Sequence, residues 1–208
     1  MTDIRSILAL GPVMPVIVID NADDAVPLAQ ALIAGGIHAI EVTLRTPAAL
    51  DAMAAIARDV PDMVIGAGTV LDGAQAKAAR DAGAVFAVSP GATDVLISGC
   101  ADAGIALLPG AASASEAMAL YEKGFDVQKF FPAVPAGGAP FLKSLASPLP
   151  QISFCPTGGI GPANVNDFLS LPNVVCVGGS WIASAGDIAS HNWETITKTA
   201  SQAASLNL

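Results

Sequence analysis

Eight short apolar runs alternate with helical segments along the chain, and this alternation constrains the fold more than any other feature. The apolar runs have strand-like length and composition, and several of the helical segments between them end at glycine. Regular alternation with short loops predicts parallel strands joined by right-handed crossovers. The predicted strands are residues 13–19, 37–44, 63–67, 85–89, 105–108, 125–131, 152–155 and 174–177.

Eight such units predict a closed (β/α)8 barrel, the TIM-barrel form of the α/β class, as a single domain over residues 1–208. A short N-terminal helix at residues 4–10 precedes the first strand. The predicted strand ends Ser89, Pro109 and Lys129 are each 20 residues apart, which fits a repeated unit. A doubly wound open sheet is the alternative, but no GxGxxG motif follows the first strand.

Composition and charge narrow the possible partners. The net charge of −9 argues against a nucleic-acid partner, although a local pocket could still bind a small anion. Two long uncharged runs, residues 144–166 and 168–186, contain Pro, Gly, Ser and Asn, so neither predicts a membrane-spanning helix. We therefore expect neither nucleic acid nor membrane as a partner.

The cysteines and histidines predict no metal site or cofactor. Cys100, Cys155 and Cys176 lack CxxC or zinc-type spacing, so we expect reduced thiols, with Cys155 and Cys176 buried in strands. His38 and His191 lie away from the strand ends and are expected to be structural or exposed. The first 20 residues lack a clean signal-peptide pattern, and together these features predict a cytoplasmic protein.

Lys129 is the first candidate for chemistry because it lies in an apolar strand. With period two, Phe125, Val127, Lys129 and Phe131 share one face of that strand. Burial among Val and Phe favours the neutral amine, and only the neutral amine can attack a carbonyl to form a Schiff base. The alternative is a lysine at a strand end that extends its ammonium group to water.

Glu41 is the second candidate, and it is expected at the same rim as Lys129. Alternation puts Glu41, Thr43 and Arg45 on one face at the end of the second strand. A carboxylate among apolar neighbours needs a partner, so a structural ion pair with Arg45 or Lys129 is one interpretation. The other is a proton shuttle beside a nucleophilic amine, the two parts that an iminium mechanism requires.

Polar groups at the other predicted strand ends could bind an anionic substrate. Arg45 could hold a carboxylate through two hydrogen bonds, unless it pairs with a surface acid. Thr69 could add a hydroxyl, unless it caps the following helix, for which its spacing to Asp72 is suitable. Glycine pairs follow the last two strands, at residues 158–159 and 178–179, where barrels commonly bind phosphate through backbone N–H groups.

Five ordered motifs resemble those of the 2-keto-3-deoxy-6-phosphogluconate (KDPG) aldolases, and together they extend over nearly the whole chain. The resemblance implies a metal-free class I aldolase that yields pyruvate and glyceraldehyde 3-phosphate. It also implies a homotrimer and a place in the Entner–Doudoroff pathway. The motifs are EVTLRT at residues 41–46, GAGTV at 66–70, KFFPA at 129–133, CPTGGI at 155–160 and GGSW at 178–181.

The same resemblance assigns roles to the matching positions. It makes Lys129 the Schiff-base lysine and Glu41 the general acid/base. The residues that it implies for substrate binding are Arg45 and Thr69 for the pyruvyl carboxylate, Thr157 and Phe131 for the pocket wall, and Gly158, Gly159, Gly179 and Ser180 for the phosphate. The chain departs from the family pattern at Val134, where close relatives often carry an acid.

Other activities stay open at this point. Within the same class, 4-hydroxy-2-oxoglutarate or 2-dehydro-3-deoxy-6-phosphogalactonate would present a similar pyruvyl half. A phosphate-binding barrel isomerase would use the same glycine loops, but would not need Lys129 together with Glu41. A non-catalytic phosphosugar-binding barrel would require neither residue.

Overall fold

The computed structural model describes residues 3–207, so residues 1, 2 and 208 of the predicted domain lie outside the described part. Strands and helices alternate along this part, as predicted. The strands are β1 Val13–Ile17, β2 Ala39–Thr43, β3 Val64–Gly68, β4 Phe86–Val88, β5 Ala106–Leu108, β6 Gly110–Ala111, β7 Val127–Phe130, β8 Ser153–Pro156 and β9 Val177–Gly179.

The helices lie between these strands and begin at recognisable sequence signals. Asp72, Thr93 and Ser113 each accept a hydrogen bond from a backbone N–H in the first turn of the helix that follows. The helices are α1 Ile4–Leu8, α2 Ala25–Ala34, α3 Ala49–Asp59, α4 Gly73–Asp81, α5 Asp94–Ala103, α6 Ala114–Glu122, α7 Gly138–Leu145, α8 Val165–Leu169, α9 Ala185–Ala189 and α10 Trp193–Ala204, and a 3-10 turn at Ala22–Asp24 precedes α2.

The strands form two parallel sheets, and the predicted α/β class is confirmed. One sheet has the order β5-β4-β3-β2-β1-β9 and the other β6-β7-β8. Parallel bridges join Phe154 to Val174 and Thr157 to Gly178, which connects β8 to the segment that leads into β9. The carboxyl ends of the strands therefore lie at a common edge, as the crossover connections require.

Three details differ from the sequence prediction. The predicted eighth strand, residues 174–177, shares only residue 177 with the observed β9, and Val174 forms an isolated bridge to Phe154 instead. The predicted fifth strand, residues 105–108, is followed by a second short strand, β6, because Pro109 has no N–H to donate between them. The Pro109 carbonyl instead accepts a hydrogen bond from the Lys129 N–H at 2.8 Å. The helix α9 was not predicted, since five residues with two alanines and a glycine show no clear helical period.

The strands of both sheets contribute to one buried cluster, which shows that the sheets curl around it. This inner cluster consists of Ile7, Leu8, Met14, Ala39, Phe86, Val88, Leu108, Val127, Cys155 and Cys176. Side chains on the opposite strand faces, such as Phe130 and Phe154, belong to a larger cluster with residues of the helices. Among the described residues, no helix combines the length and apolar character needed to cross a membrane.

Candidate active site

Lys129 and Glu41 meet above the inner cluster, as the sequence predicted. Val127 and Ala39, two residues earlier on β7 and β2, belong to that cluster, so alternation turns Lys129 and Glu41 to the same side. Lys129 Nζ lies 3.5 Å from Glu41 Oε1, and the two side chains are only 4% and 3% exposed. The lysine therefore does not extend to water, and the alternative of a solvent-reaching amine is wrong.

Among the described residues, neither member of this pair forms an ion pair with a third residue. Within residues 3–207, Glu41 Oε1 accepts no hydrogen bond, so the lysine ammonium is the charge that faces it. The ring of Phe131 lies beside the lysine, with its centroid 5.2 Å from Nζ, and provides a cation–π contact. An amine and a carboxylate this close, and without competing partners, are placed to exchange a proton.

Arg45 and Thr69 follow neighbouring strands and contact each other. Thr43 on β2 pairs with Gly68 on β3, so Arg45 and Thr69, which lie just beyond these two residues, come close together. Arg45 Nε donates a hydrogen bond to Thr69 Oγ1 at 3.0 Å, and Arg45 forms no ion pair with a carboxylate in the described part of the chain. The guanidinium is exposed, so its remaining N–H groups can donate hydrogen bonds to a ligand anion.

Thr69 has a backbone conformation that is unusual for its residue type. Its φ is +61°, in the left-handed region that β-branched residues rarely adopt. The cap of α4 is Asp72, whose carboxylate accepts the Gln75 N–H at 2.8 Å, so Thr69 does not cap this helix. The strained turn instead directs the Thr69 hydroxyl to Arg45 at the rim.

The loops after β7 and β8 are hydrogen-bonded to each other. The Thr157 N–H donates to the Phe130 carbonyl at 2.9 Å, and the Ala133 N–H donates to the Thr157 carbonyl at 2.8 Å. Val134 continues this pairing through a 3.0 Å hydrogen bond from its N–H to the Gly158 carbonyl. The partly buried Phe131 ring lies beside Lys129 Nζ, and the buried Thr157 lies two residues after Cys155, which pairs with Lys129.

The two glycine turns begin side by side, because Thr157 pairs with Gly178. Gly158 and Gly159 have φ values of +108° and +78°, which side-chain-bearing residues adopt only with strain. Within the described residues, the backbone N–H groups of Gly158, Gly159 and Ser180 donate no hydrogen bond. Free N–H groups in such turns form concavities that bind anions.

A pair of thiols lies below the lysine and was not predicted as part of the site. Cys155 pairs with Lys129 across β8 and β7, and the Cys176 thiol donates a hydrogen bond to Cys155 Sγ at 3.4 Å. That hydrogen bond, followed by burial and the negative charges of Cys155 and Glu41, raises the pKa of Cys176 well above its usual range. The Cys176 thiol therefore stays protonated at neutral pH.

The remaining candidates lie elsewhere. All three cysteines are buried and unbridged, as expected, and burial raises the pKa of Cys100. His38 is exposed, and His191 Nε2 lies 2.9 Å from Asp24 Oδ1 at the surface. Among residues 3–207, no three His, Cys, Asp or Glu side chains are grouped as metal ligands would be.

Comparisons with known proteins agree on one family. A family model described as KDPG and KHG aldolase matches residues 4–199. The 2-dehydro-3-deoxy-phosphogluconate aldolase of Pseudoalteromonas atlantica is 51% identical over 199 residues, which are 96% of this chain and 93% of the relative.

Two solved structures resemble the chain over nearly its full length. A KDPG aldolase from Legionella pneumophila, with pyruvate captured as a covalent carbinolamine intermediate, is 48% identical with a TM-score of 0.95, covering 98% of this chain and 99% of that one. The KDPG aldolase of Zymomonas mobilis with 3-phosphoglycerate is 48% identical with a TM-score of 0.90, covering 98% and 95%.

Proposed function

Since the chain belongs to the KDPG and KHG aldolase family, we propose that its catalytic centre is the buried pair of Lys129 and Glu41. The protein is a carbon–carbon lyase, an aldolase that acts through a Schiff base and cleaves KDPG to pyruvate and glyceraldehyde 3-phosphate. The observation that carries the residue assignment is the 3.5 Å approach of Lys129 Nζ to Glu41 Oε1 in a water-poor site.

In the first stage, Lys129 becomes covalently bound to the substrate. Transfer of a proton from the ammonium to Glu41 leaves a neutral amine, which attacks the C2 carbonyl of the 2-keto acid to form a carbinolamine. Glu41 returns a proton to the C2 oxygen, water leaves, and the iminium remains. The protonated iminium nitrogen is the electron sink for the next stage.

In the second stage, the C3–C4 bond breaks. Glu41 accepts the proton of the C4 hydroxyl, the C4 oxygen forms the aldehyde carbonyl, and the bonding electrons pass into the iminium to give an enamine. Glyceraldehyde 3-phosphate leaves, and C3 of the enamine takes up a proton. Water then adds to the pyruvyl iminium, which releases pyruvate and the free amine, so one water is lost and one is consumed.

We assign the pyruvyl carboxylate to Arg45 and Thr69. The hydrogen bond from Arg45 Nε to Thr69 Oγ1 orients the guanidinium, and the absence of an acidic partner among the described residues leaves its other donors for the ligand. Phe131 and Thr157 are assigned to the wall of the pocket. Phe131 directly follows β7, which carries Lys129, and Thr157 directly follows the neighbouring strand β8.

The phosphate is assigned to the turns formed by Gly158, Gly159, Gly179 and Ser180. The free N–H groups of Gly158, Gly159 and Ser180 support this assignment, and the sequence has no Lys or Arg between Lys143 and Lys198 that could take their place. The same observation makes 4-hydroxy-2-oxoglutarate the second candidate substrate, because the family includes KHG aldolases and the site has no cation dedicated to phosphate. The epimer 2-dehydro-3-deoxy-6-phosphogalactonate would use the same groups.

The closed eight-stranded barrel, formed by one domain over residues 1–208, is also part of this proposal. Two observations support it. Bridges connect β8 to the region of β9, and β5 and β6, which are separated only by Pro109, pair with β4 of one sheet and β7 of the other. A cytoplasmic homotrimer that acts in the Entner–Doudoroff pathway is proposed from the family resemblance and the unbridged cysteines.

Steady-state kinetics test the assignment. We expect pyruvate release from KDPG in the wild type and its loss in Lys129→Arg, because a guanidinium cannot form the iminium. Lys143→Arg, which changes an exposed lysine in the same way, is the control and should retain turnover. Normal activity of Lys129→Arg would refute the role of Lys129, and faster cleavage of 4-hydroxy-2-oxoglutarate than of KDPG would favour the second substrate.

A further inference from the structure

Gly68 lies beside Glu41 on the neighbouring strand, and its backbone conformation does not require glycine. Its φ is outside the left-handed region, so the backbone does not call for glycine at this position. The reason for glycine is therefore the lack of room for a side chain. A Cβ at position 68 would lie 2.7 Å from Cγ and 2.8 Å from Cδ of Glu41, and closer still to Oε1. The three atoms nearest to this Cβ all belong to the Glu41 side chain.

The Glu41 carboxylate is therefore positioned by packing. Oε1 accepts no hydrogen bond from the described residues, and the nearest opposite charge is Lys129 Nζ at 3.5 Å. A donor that held Oε1 firmly would stabilise the carboxylate and compete with proton transfer. Contact with the α-carbon of a glycine limits the position of the side chain without adding such a donor.

We propose that Gly68 is a positioning residue that lets the Glu41 carboxylate lie over β3 within reach of Lys129. The inference rests on the proposed proton-transfer role of Glu41 and adds a second residue to it. A methyl group at position 68 would displace the carboxylate from its place beside the amine. Because the obstructed atoms belong to a side chain, Glu41 can move aside while the strands keep their pairing.

Gly66 provides a matched comparison on the same strand face, two residues earlier. A Cβ there would lie 2.5 Å from an edge carbon of the Phe86 ring and closer still to its tip. Phe86 is a fully buried member of the inner cluster and is not part of the catalytic pair. Gly66 therefore serves core packing, whereas the space at Gly68 serves Glu41.

The Gly68→Ala variant separates a positioning role from a structural one. Pyruvate with borohydride should still label Lys129, because the amine is unchanged. Exchange of the pyruvate methyl protons with deuterium, which needs a base at C3, and KDPG turnover should both fall by about 10²-fold, the cost of a displacement of roughly 1 Å. Retention of both rates would overturn the proposal.

A double-mutant cycle tests whether Gly68 acts through Glu41. Glu41→Gln should slow turnover strongly in the wild-type background but add little in the Gly68→Ala background, because the carboxylate is already misplaced there. The same cycle with Gly66→Ala should give losses that multiply. Multiplying losses with Gly68→Ala would overturn this inference alone, whereas normal turnover of Glu41→Gln would overturn the role of Glu41 as well.

A further variant covers the case in which Gly68→Ala does not fold. Glu41→Ala/Gly68→Ala removes the three atoms nearest to the new Cβ, so its melting temperature should equal that of Glu41→Ala. Recovery of folding in the double variant would show that the obstruction is Glu41 itself. Failure of the double variant to fold would mean that position 68 needs glycine for another reason and would overturn the proposal.

Discussion

Lys129 and Glu41 would each be costly to bury alone, and each makes the burial of the other tolerable. An unpaired charge in an apolar interior carries a penalty of several kcal/mol. Their opposite charges lie 3.5 Å apart, with the aromatic face of Phe131 beside the ammonium. The convergence was predictable from the sequence because both residues end apolar strands of a parallel sheet, whose carboxyl ends share one edge.

The residues around this pair were less predictable. Cys155 and Cys176 were recognised as buried thiols, but their place beneath Lys129 depends on the register of β8 and β9, which alternation alone does not determine. The left-handed conformation of Thr69 also has no sequence signal, since threonine disfavours it. Gly68 belongs to the GAGTV motif, but its contact with Glu41 depends on how the Glu41 side chain packs over β3, which the motif does not determine.

At the residue scale, Glu41→Gln tests the proton-transfer role. The substitution keeps the size of the side chain and removes its capacity to carry a proton between atoms. Turnover of KDPG should fall by about 10²–10⁴-fold, the usual contribution of a general acid/base. Trapping of pyruvate on Lys129 should decline much less, and near-normal turnover would make Glu41 only the structural partner of the lysine.

Cys176 predicts a pH dependence of stability. The pKa of the Cys176 thiol is raised in the folded state, whereas in the unfolded chain it is the ordinary thiol value of about 8.5. In the pH range between these two values, the folded protein binds the proton more tightly than the unfolded chain does. This contribution is complete below that range and is lost as the pH rises through it. In urea unfolding, Cys176→Ala should therefore show a shallower decline in unfolding free energy above about pH 8.5. Parallel declines in both proteins would contradict this.

At the scale of elements, most strands and helices were predictable and their boundaries were less so. Apolar runs, and the glycines that end the helices, locate the strands in the sequence. The division into β5 and β6 around Pro109 is different, because it depends on the pairing of β5 with β4 and of β6 with β7. The helix α9 is too short for a period to be visible. The loops after β8 and β9 were recognised by their glycines, and their adjacency follows from the bridge between Thr157 and Gly178.

Ser180→Asp tests the phosphate assignment at these loops. A second negative charge beside the phosphate is strongly unfavourable in a partly desolvated pocket. The kcat/KM for KDPG should therefore fall by about 10-fold or more, as expected for 1.4 kcal/mol of repulsion, while cleavage of unphosphorylated 2-keto-3-deoxygluconate should change much less.

Ala185→Asp is the matched control for this prediction. Ala185 is exposed at the first position of α9, where a negative charge suits the helix N-terminus, and its substitution keeps both hydrogen bonds between Ser184 and Asp187. The control adds the same charge five residues after Ser180, and it should affect both substrates little. Equal losses on both substrates for Ser180→Asp would show that Ser180 supports the fold and does not contact phosphate.

At the scale of the whole molecule, the last helix packs against the first long one. Gly35 follows α2, and a Cβ there would lie 2.7 Å from the Thr197 carbonyl and 3.0 Å from the Ser201 N of α10. These are backbone atoms and cannot move aside as a side chain can. The contact joins the two ends of the chain around the curled sheets, and Thr197 strengthens it through a 3.0 Å hydrogen bond to the Ala31 carbonyl.

Gly35→Ala should therefore destabilise the protein by about 1–3 kcal/mol, the usual cost of overpacking. The measurement is the free energy of unfolding in urea. Gly11→Ala is the control, because a Cβ at position 11 would have no neighbour within 4 Å and its backbone conformation is ordinary. Equal stability of Gly35→Ala and the wild type would contradict close packing of α2 against α10.

The central claim, that Lys129 is the covalent nucleophile, is tested most directly by borohydride reduction in the presence of pyruvate. Reduction of the iminium fixes pyruvate to the enzyme, and peptide mass spectrometry locates the modified lysine. We expect a single adduct per chain, on Lys129, and none in Lys129→Arg. An adduct on Lys123 or Lys143, or no adduct in an active wild-type enzyme, would contradict it.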